Sequence, residues 1–170
     1  GNINFNTSIN ERLKLLNENK DSLNFFSKTL KKNISRSFLV NKDFIIENSH
    51  KILIISGGFT ELIAPVVEDF KIKKDQIYAN EFIFNKNGII KTISKETLTY
   101  KHHTKAHLVK SLNLKGVTHI IGDGITDCDV WRKGYADEFY AFTENIERTV
   151  VVNSSKNVIN CLNDYIKIIS

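Results

Sequence analysis

Methionine does not occur in these 170 residues, proline and tryptophan occur once each, and cysteine twice. The lack of Met even at position 1 predicts a chain that does not begin at a natural start, a fragment. No apolar run approaches the roughly 20 residues that cross a bilayer as a helix, and Gly1 to Phe5 has neither the basic nor the apolar region of a secretory signal. No membrane association is expected. Cys128 and Cys161 are too few to staple a chain of this size and read as reduced thiols of a cytoplasmic protein. Acidic residues are also in deficit, with 24 Lys and Arg against 19 Asp and Glu, for a net charge of +5. The lysines are scattered and no basic run is interleaved with stacking aromatics. No nucleic-acid partner is expected, and an anionic small substrate suits the same charge.

What is present is enough for a core. With 41% apolar, 10% aromatic and 25% charged residues the chain buries a sizeable interior, as one domain or a core with a small cap. Residues 6–48 read as helices, with Ile9, Leu13 and Leu16 on one face, Leu23, Phe26 and Leu30 on another, and Phe38, Phe44 and Ile45 in a third segment. Ser8 and Glu11 have capping-box spacing. From about Ser49 the pattern changes. Ile52 to Ile55 is a continuous apolar run ended by Ser56-Gly57-Gly58, as in a strand buried on both faces of a parallel sheet. A helix follows from Thr60, with Pro65 near enough to its start to be tolerated. Glu81 to Phe84 and Ile89 to Ile93 flank Asn85-Lys86-Asn87-Gly88, a hairpin-turn signal. Lys105 to Leu112 reads as a helix, Val117 to Ile121 as a second buried strand, and the stretch from Asp127 as a helix ending at Gly134. Phe139 to Phe142 and Thr149 to Val152 read as strands, and Val158 to Ile169 as a closing amphipathic helix. The alternation predicts an α/β fold, a helical segment over 1–48 ahead of a doubly wound parallel sheet over 49–170 with a β-hairpin insert. Ligands of such sheets bind outside the carboxyl ends of the strands.

Two motifs fall at those ends. Ser56-Gly57-Gly58-Phe59-Thr60 joins the first strand to its helix. A hydroxyl, two glycines that admit close approach and N–H groups at a helix start make an anion site suited to phosphate; the alternative is an ordinary tight turn. Gly122-Asp123-Gly124-Ile125-Thr126-Asp127 follows the second strand. Its two carboxylates, the first at a strand end between glycines, could hold Mg2+ through Asp123 with Asp127 orienting that ligand. The alternative is a solvated turn with an Asp N-cap. Lys105 begins the helix leading into the second strand, from where an ammonium reaches the same strand ends and neutralises phosphate charge. His102, His103 and His107 have no adjacent Glu or Cys and read as exposed histidines, not a zinc set. Asp129 reads as facing solvent and Trp131 as packing a helix face.

In order and spacing, Ser56-Gly57-Gly58-Phe59, Ala79-Asn80-Glu81 before the hairpin, Lys105, and Gly122-Asp123-Gly124-x-x-Asp127 resemble the phosphoserine phosphatases of the haloacid dehalogenase superfamily. Ile3 to Leu13 is similar to the segment entering that family's helical cap, so the resemblance covers nearly the whole chain. It implies a Mg2+-dependent phosphomonoester hydrolase with a Rossmann-like core and a small helical cap. Its implied substrate is a small phosphorylated molecule, phosphoserine first, in L-serine biosynthesis. By the same resemblance Ser56, Gly57 and Gly58 bind phosphoryl oxygens, Lys105 stabilises the charge of phosphate and nucleophile, Asp123 ligates Mg2+ and Asp127 supports it. Phe5 and Arg12 match cap positions that close over substrate, Arg12 pairing with its carboxylate as a planar guanidinium does, in two-pronged fashion. The sequence also resembles the phosphatase-like domain fused ahead of phosphoglycerate dehydrogenase in some bacteria; that fusion, or a homodimer, is the assembly implied.

Two departures matter. Thr126 stands where the family has Asn, which bears on substrate contacts there. The family's nucleophile, the first Asp of an Asp-x-Asp-x-Thr motif on the central first strand of the core, has no counterpart in residues 1–170. In the family's reaction that Asp attacks phosphorus to give an aspartyl-phosphate, and the second Asp protonates the leaving alcohol and later activates water. These 170 residues are therefore expected to be inactive alone. The competing readings are a phosphatase for another small phosphorylated metabolite and a non-catalytic, phosphate-binding regulatory domain.

Overall fold

The computed structural model describes residue 11, residues 18–97 and residues 104–170. Contacts divide the chain into a first unit, Gly1–Ile34 with Ile46–Lys101, and a second, Ser35–Ile45 with His102–Ser170.

Helix α1 (Lys20–Lys31) opens the first unit at a capping box. The Asn19 side chain accepts the N–H groups of Asp21 and Ser22, both at 3.0 Å, and the Ser22 hydroxyl oxygen accepts that of Asn19 at 3.0 Å. The box expected at Ser8 and Glu11 and the face of Ile9, Leu13 and Leu16 fall outside the described residues, Glu11 excepted. The face of α1 that packs inward runs through Leu23 and Ser27, four residues apart, while Phe26, expected inside, is half exposed. Two short helices follow, α2 (Arg36–Val40) in the second unit and α3 (Lys42–Glu47), which runs across the boundary.

Strand β1 (Ile54–Phe59) leads directly into helix α4 (Thr60–Val67), and β1 pairs in parallel with β2 (Ile77–Asn80). Ile55 lies opposite Tyr78 and Phe59 opposite Asn80, so four steps along β1 match two along β2. That bulge falls on Ser56-Gly57-Gly58, where one edge of the pairing is given up and the backbone is turned outward. Strands β3 (Phe82–Phe84) and β4 (Ile90–Ile93) form the expected antiparallel hairpin, Phe82 opposite Ile93. Its turn is held by Asn85 Oδ1, which accepts the N–H groups of Asn87 and Ile89, and by Gly88 at φ 74°, a conformation that suits glycine. Leu23, Phe82, Ile90 and Ile93 make the core of this unit, with Phe59, Leu62 and Phe84 packed against them.

In the second unit helix α5 (Lys105–Leu112) precedes β5 (His119–Gly122), helix α6 (Ile125–Arg132) and β6 (Glu138–Phe142). Helix α5 matches the expected bounds, whereas β5 begins two residues after the expected Val117, which is mostly exposed. Thr149 to Val152, expected as a strand, is instead one helical turn, α7 (Thr149–Val152). The Arg148 carbonyl accepts the N–H groups of Val151 and Val152, and burial of Val151 in the core overrides the β-preference of a Val run. The strand lies further on, at β7 (Asn157–Ile159), so the closing helix α8 (Leu162–Ile169) starts later than Val158. The sheet is parallel in the order β5-β6-β7, with Ile121 opposite Tyr140 and Ala141 opposite Val158. Cys128, Phe139, Ala141 and Val151 form its core, and Trp131 packs on them as expected. Both cysteines are free thiols.

Strands β1 and β5 carry the runs expected of strands buried on both faces, yet both are half-buried. Each stands at the end of the strand order of its own sheet, so one edge has no described partner; in the second unit β6, flanked on both sides, is more buried than β5.

Candidate functional site

The first unit contributes the bulged end of β1. Ser56 Oγ accepts the Gly58 N–H at 3.0 Å, closing a small hydroxyl turn, and a Cβ on Gly58 would come within 3.2 Å of that oxygen. Gly57 is exposed and has no neighbour within 4 Å of where a Cβ would stand, so its backbone is open to an approaching anion. Asn80, fully buried, donates from Nδ2 to the Gly57 carbonyl at 3.0 Å and ties the bulge to β2. Phe59 lies flat on Phe82, ring centroids 3.8 Å apart, anchoring the far side of the bulge in the core. Asn80 has no role assigned by the sequence analysis; the signal was there, in a polar residue closing the apolar Ile77-Tyr78-Ala79.

Separately, the second unit holds Lys105, Asp123 and Asp127. Thr104 caps α5 by accepting the His107 N–H at 3.2 Å, which sets Lys105 at the first helical position. Its ammonium meets Asp127 Oδ1 at 2.7 Å in a largely buried pair. Asp127 Oδ2 accepts the Gly124 N–H at 3.2 Å, so this carboxylate holds the turn and the lysine together. The two glycines of the motif are required by that packing, because a Cβ on Gly122 would lie 2.5 Å from both Cγ and Oδ2 of Asp127, and one on Gly124 3.0 Å from Oδ2. Asp127 therefore caps α6 from its third residue, with Gly124 as the N-cap itself. Asp123, half exposed in the same turn, is paired with Arg148, whose Nε lies 3.1 Å from Oδ2. Arg148 is 25 residues away in sequence and carries no local signal of that role.

Thr126 is exposed on the first turn of α6, and Asp129 pairs with Arg132 at 3.7 Å on the helix surface. Phe5, Arg12, His102 and His103 lie outside the described residues. His107 is exposed, and among the described residues no cluster of three His, Cys, Asp or Glu side chains is arranged to hold a metal. As a donor, Asp123 alone still suits Mg2+, which keeps several waters and is commonly held by one or two carboxylates plus substrate phosphate. Both oxygens of Asp127 are already engaged, by Lys105 and the Gly124 N–H, which leaves Asp123 the more available carboxylate of the turn.

No protein-family model matches the chain. Among curated proteins it is 31% identical over 98 residues to the chloroplastic phosphoserine phosphatase of Arabidopsis thaliana, a match covering 56% of this chain and 33% of that one. The chain thus spans about a third of that relative and less than half of the phosphoserine phosphatase of Drosophila melanogaster. Among solved structures it is similar to a phosphoserine phosphohydrolase-like protein from Francisella tularensis. There the identity is 30% and the TM-score 0.79, with all of this chain and 79% of the other covered. A HAD family hydrolase from Salmonella enterica, at 22% identity and TM-score 0.66 over 94% of this chain, shares the fold.

Proposed function

We propose a reaction for a chain that belongs to the phosphoserine phosphatase-like family of the haloacid dehalogenase superfamily: hydrolysis of a small phosphomonoester, phosphoserine first among the candidates. The observation that carries the reading is the Lys105–Asp127 pair, a cation held by a carboxylate that also fixes the Gly122-Asp123-Gly124 turn. An ammonium fixed at the first residue of a helix, and not free to wander, is preorganised to neutralise a phosphoryl group. In this reading the Ser56 hydroxyl and the exposed Gly57 backbone receive phosphoryl oxygens, and the buried Asn80 amide keeps the bulge in shape. Gly58 joins them when phosphate replaces Ser56 as the acceptor of its N–H.

Asp123 would hold Mg2+, which when bound supplies charge neutralisation for the phosphoryl oxygens. In this reading residues 1–48 serve as the cap and 49–170 as the core, with Phe5, Arg12 and Thr126 as substrate contacts. No Asp-x-Asp-x-Thr motif occurs in residues 1–170. The aspartyl-phosphate route therefore needs groups beyond these, and residues 1–170 alone turn over no substrate. Serine as product places the reaction in L-serine formation. Two free cysteines suit a reducing, cytoplasmic setting, and no described helix is long and apolar enough to cross a membrane. A homodimer or a dehydrogenase fusion are the assemblies to look for. A second reading, a phosphate-binding regulatory domain, would use the same Ser56, Gly57 and Lys105 groups without turnover.

Substrate choice is tested by kcat/KM for phosphoserine against a phosphomonoester lacking the carboxylate, in the full-length protein. Arg12→Ala is expected to lower the first by roughly 10- to 100-fold, the loss of one charged hydrogen-bonding partner, and to leave the second nearly unchanged. Equal losses on both esters count against phosphoserine, and no hydrolysis of either leaves the regulatory reading.

A further inference from the structure

Two cation–carboxylate pairs flank the Gly122-Asp123-Gly124 turn, and they are built differently. Lys105 and Asp127 meet at 2.7 Å with side chains only 26% and 12% exposed, and Asp127 takes a second bond from the Gly124 N–H. Arg148 and Asp123 meet through a single bond from Nε at 3.1 Å, with side chains 52% and 46% exposed. Among the described residues Arg148 pairs with no other acid.

The backbone beneath Arg148 is fixed on both sides. Its carbonyl accepts the N–H groups of Val151 and Val152, at 2.8 and 3.0 Å, and Val151 is buried in the core. Upstream, the Glu144 carboxylate accepts both the backbone N–H and the hydroxyl of the buried Ser37, and the Thr143 hydroxyl bonds Asn160 Oδ1 at 2.9 Å. The Arg148 side chain above that backbone is half exposed and held by one bond. An exposed, single-bonded ion pair contributes little to stability, so a direct ligand of greater charge competes for the same oxygen at low cost.

We propose that Arg148 is a resident counter-ion of Asp123, neutralising that carboxylate in the metal-free protein and yielding Oδ2 when a divalent cation binds. Arg148 thereby weakens the apparent affinity for the cation. The inference rests on the reading of Asp123 as the cation's ligand.

The test is Mn2+ binding to the full-length protein, followed by loss of the free-ion electron paramagnetic resonance signal, in wild type, Arg148→Gln, Arg148→Lys and Asp123→Asn. Arg148→Gln is expected to tighten Mn2+ binding roughly two- to five-fold, and Arg148→Lys to fall between it and wild type. Added monovalent salt should narrow the gap, because an exposed pair is screened. Unchanged or weaker binding in Arg148→Gln overturns the proposal, as does the absence of Mn2+ binding in wild type and Arg148→Gln alike. Asp123→Asn separates the two levels. Binding that survives it defeats the reading of Asp123 itself, whereas binding lost there but unaltered by Arg148→Gln defeats only the counter-ion role.

Discussion

A single side chain, Asp127, explains most of the local sequence around the candidate site. It accepts from Lys105 on one oxygen and from the Gly124 N–H on the other, and it lies over Gly122 so closely that a Cβ there would force it to shift. The spacing Gly-Asp-Gly-x-x-Asp is thus a packing requirement as well as a chemical one. Gly122→Ala is expected to destabilise the protein by about 1–3 kcal/mol, the usual range for overpacking, since the obstructing atoms are Cβ, Cγ and Oδ2 of a carboxylate held at both oxygens by Lys105 and the Gly124 N–H. Chemical denaturation measures it, and a variant as stable as wild type would show that Asp127 relocates easily. Asp127 was legible in sequence through the motif it shares with Gly124 and Gly122, three and five residues away, although its cation Lys105 lies 22 residues upstream. Arg148 was not, because nothing local ties it to a carboxylate 25 residues earlier.

At the scale of elements, the hairpin and α4 are joined by Glu61. Its Oε1 accepts the Phe82 N–H at 2.9 Å at the start of β3, while Oε2 is buried with no hydrogen-bond partner among the described residues. Burial raises the Glu61 pKa, outweighing the backbone bonds that favour the carboxylate, with Glu81 adding repulsion and Lys74 opposing it. As pH rises above the ordinary carboxylate range, the unfolded chain loses this proton before the folded one does, so stability falls until the folded-state pKa is passed. Glu61→Gln keeps an acceptor for Phe82 and removes the titration. Its thermal melts are expected to exceed those of wild type near neutral pH and to lose that component of the pH dependence. A variant that tracks wild type across the acidic range contradicts this.

Elements with strong local signals were readable in advance: the hairpin from Asn85-Lys86-Asn87-Gly88, and α5 from its capped apolar spacing. Those decided by tertiary contact were not. Helix α7 forms in a Val-rich run because Val151 is needed in the core, β2 is too short to show alternation, and Phe26 shares a helical face with Leu23 in sequence but not in packing. The apolar runs of β1 and β5 mark strands suited to a sheet interior, although each stands at the edge of its described sheet. The bulge in β1 was legible only as a pair of glycines; its register shift and its tie to Asn80 depend on β2.

For the whole molecule, an excess of five positive charges favours encounter with small anions. Within the first unit the bulge of β1 leaves the Gly57 backbone open, and within the second the Lys105–Asp127 pair stands with Asp123 in the neighbouring turn. The central claim is that Lys105, held by Asp127, serves a phosphomonoester. The most direct measurement is phosphate release from phosphoserine by the full-length protein, wild type against Lys105→Ala. A fall of about 10²–10³ in kcat, in protein that still melts cooperatively, is the predicted result, typical of removing one preorganised charge-stabilising group. Equal turnover by an active wild type and by Lys105→Ala would contradict the account.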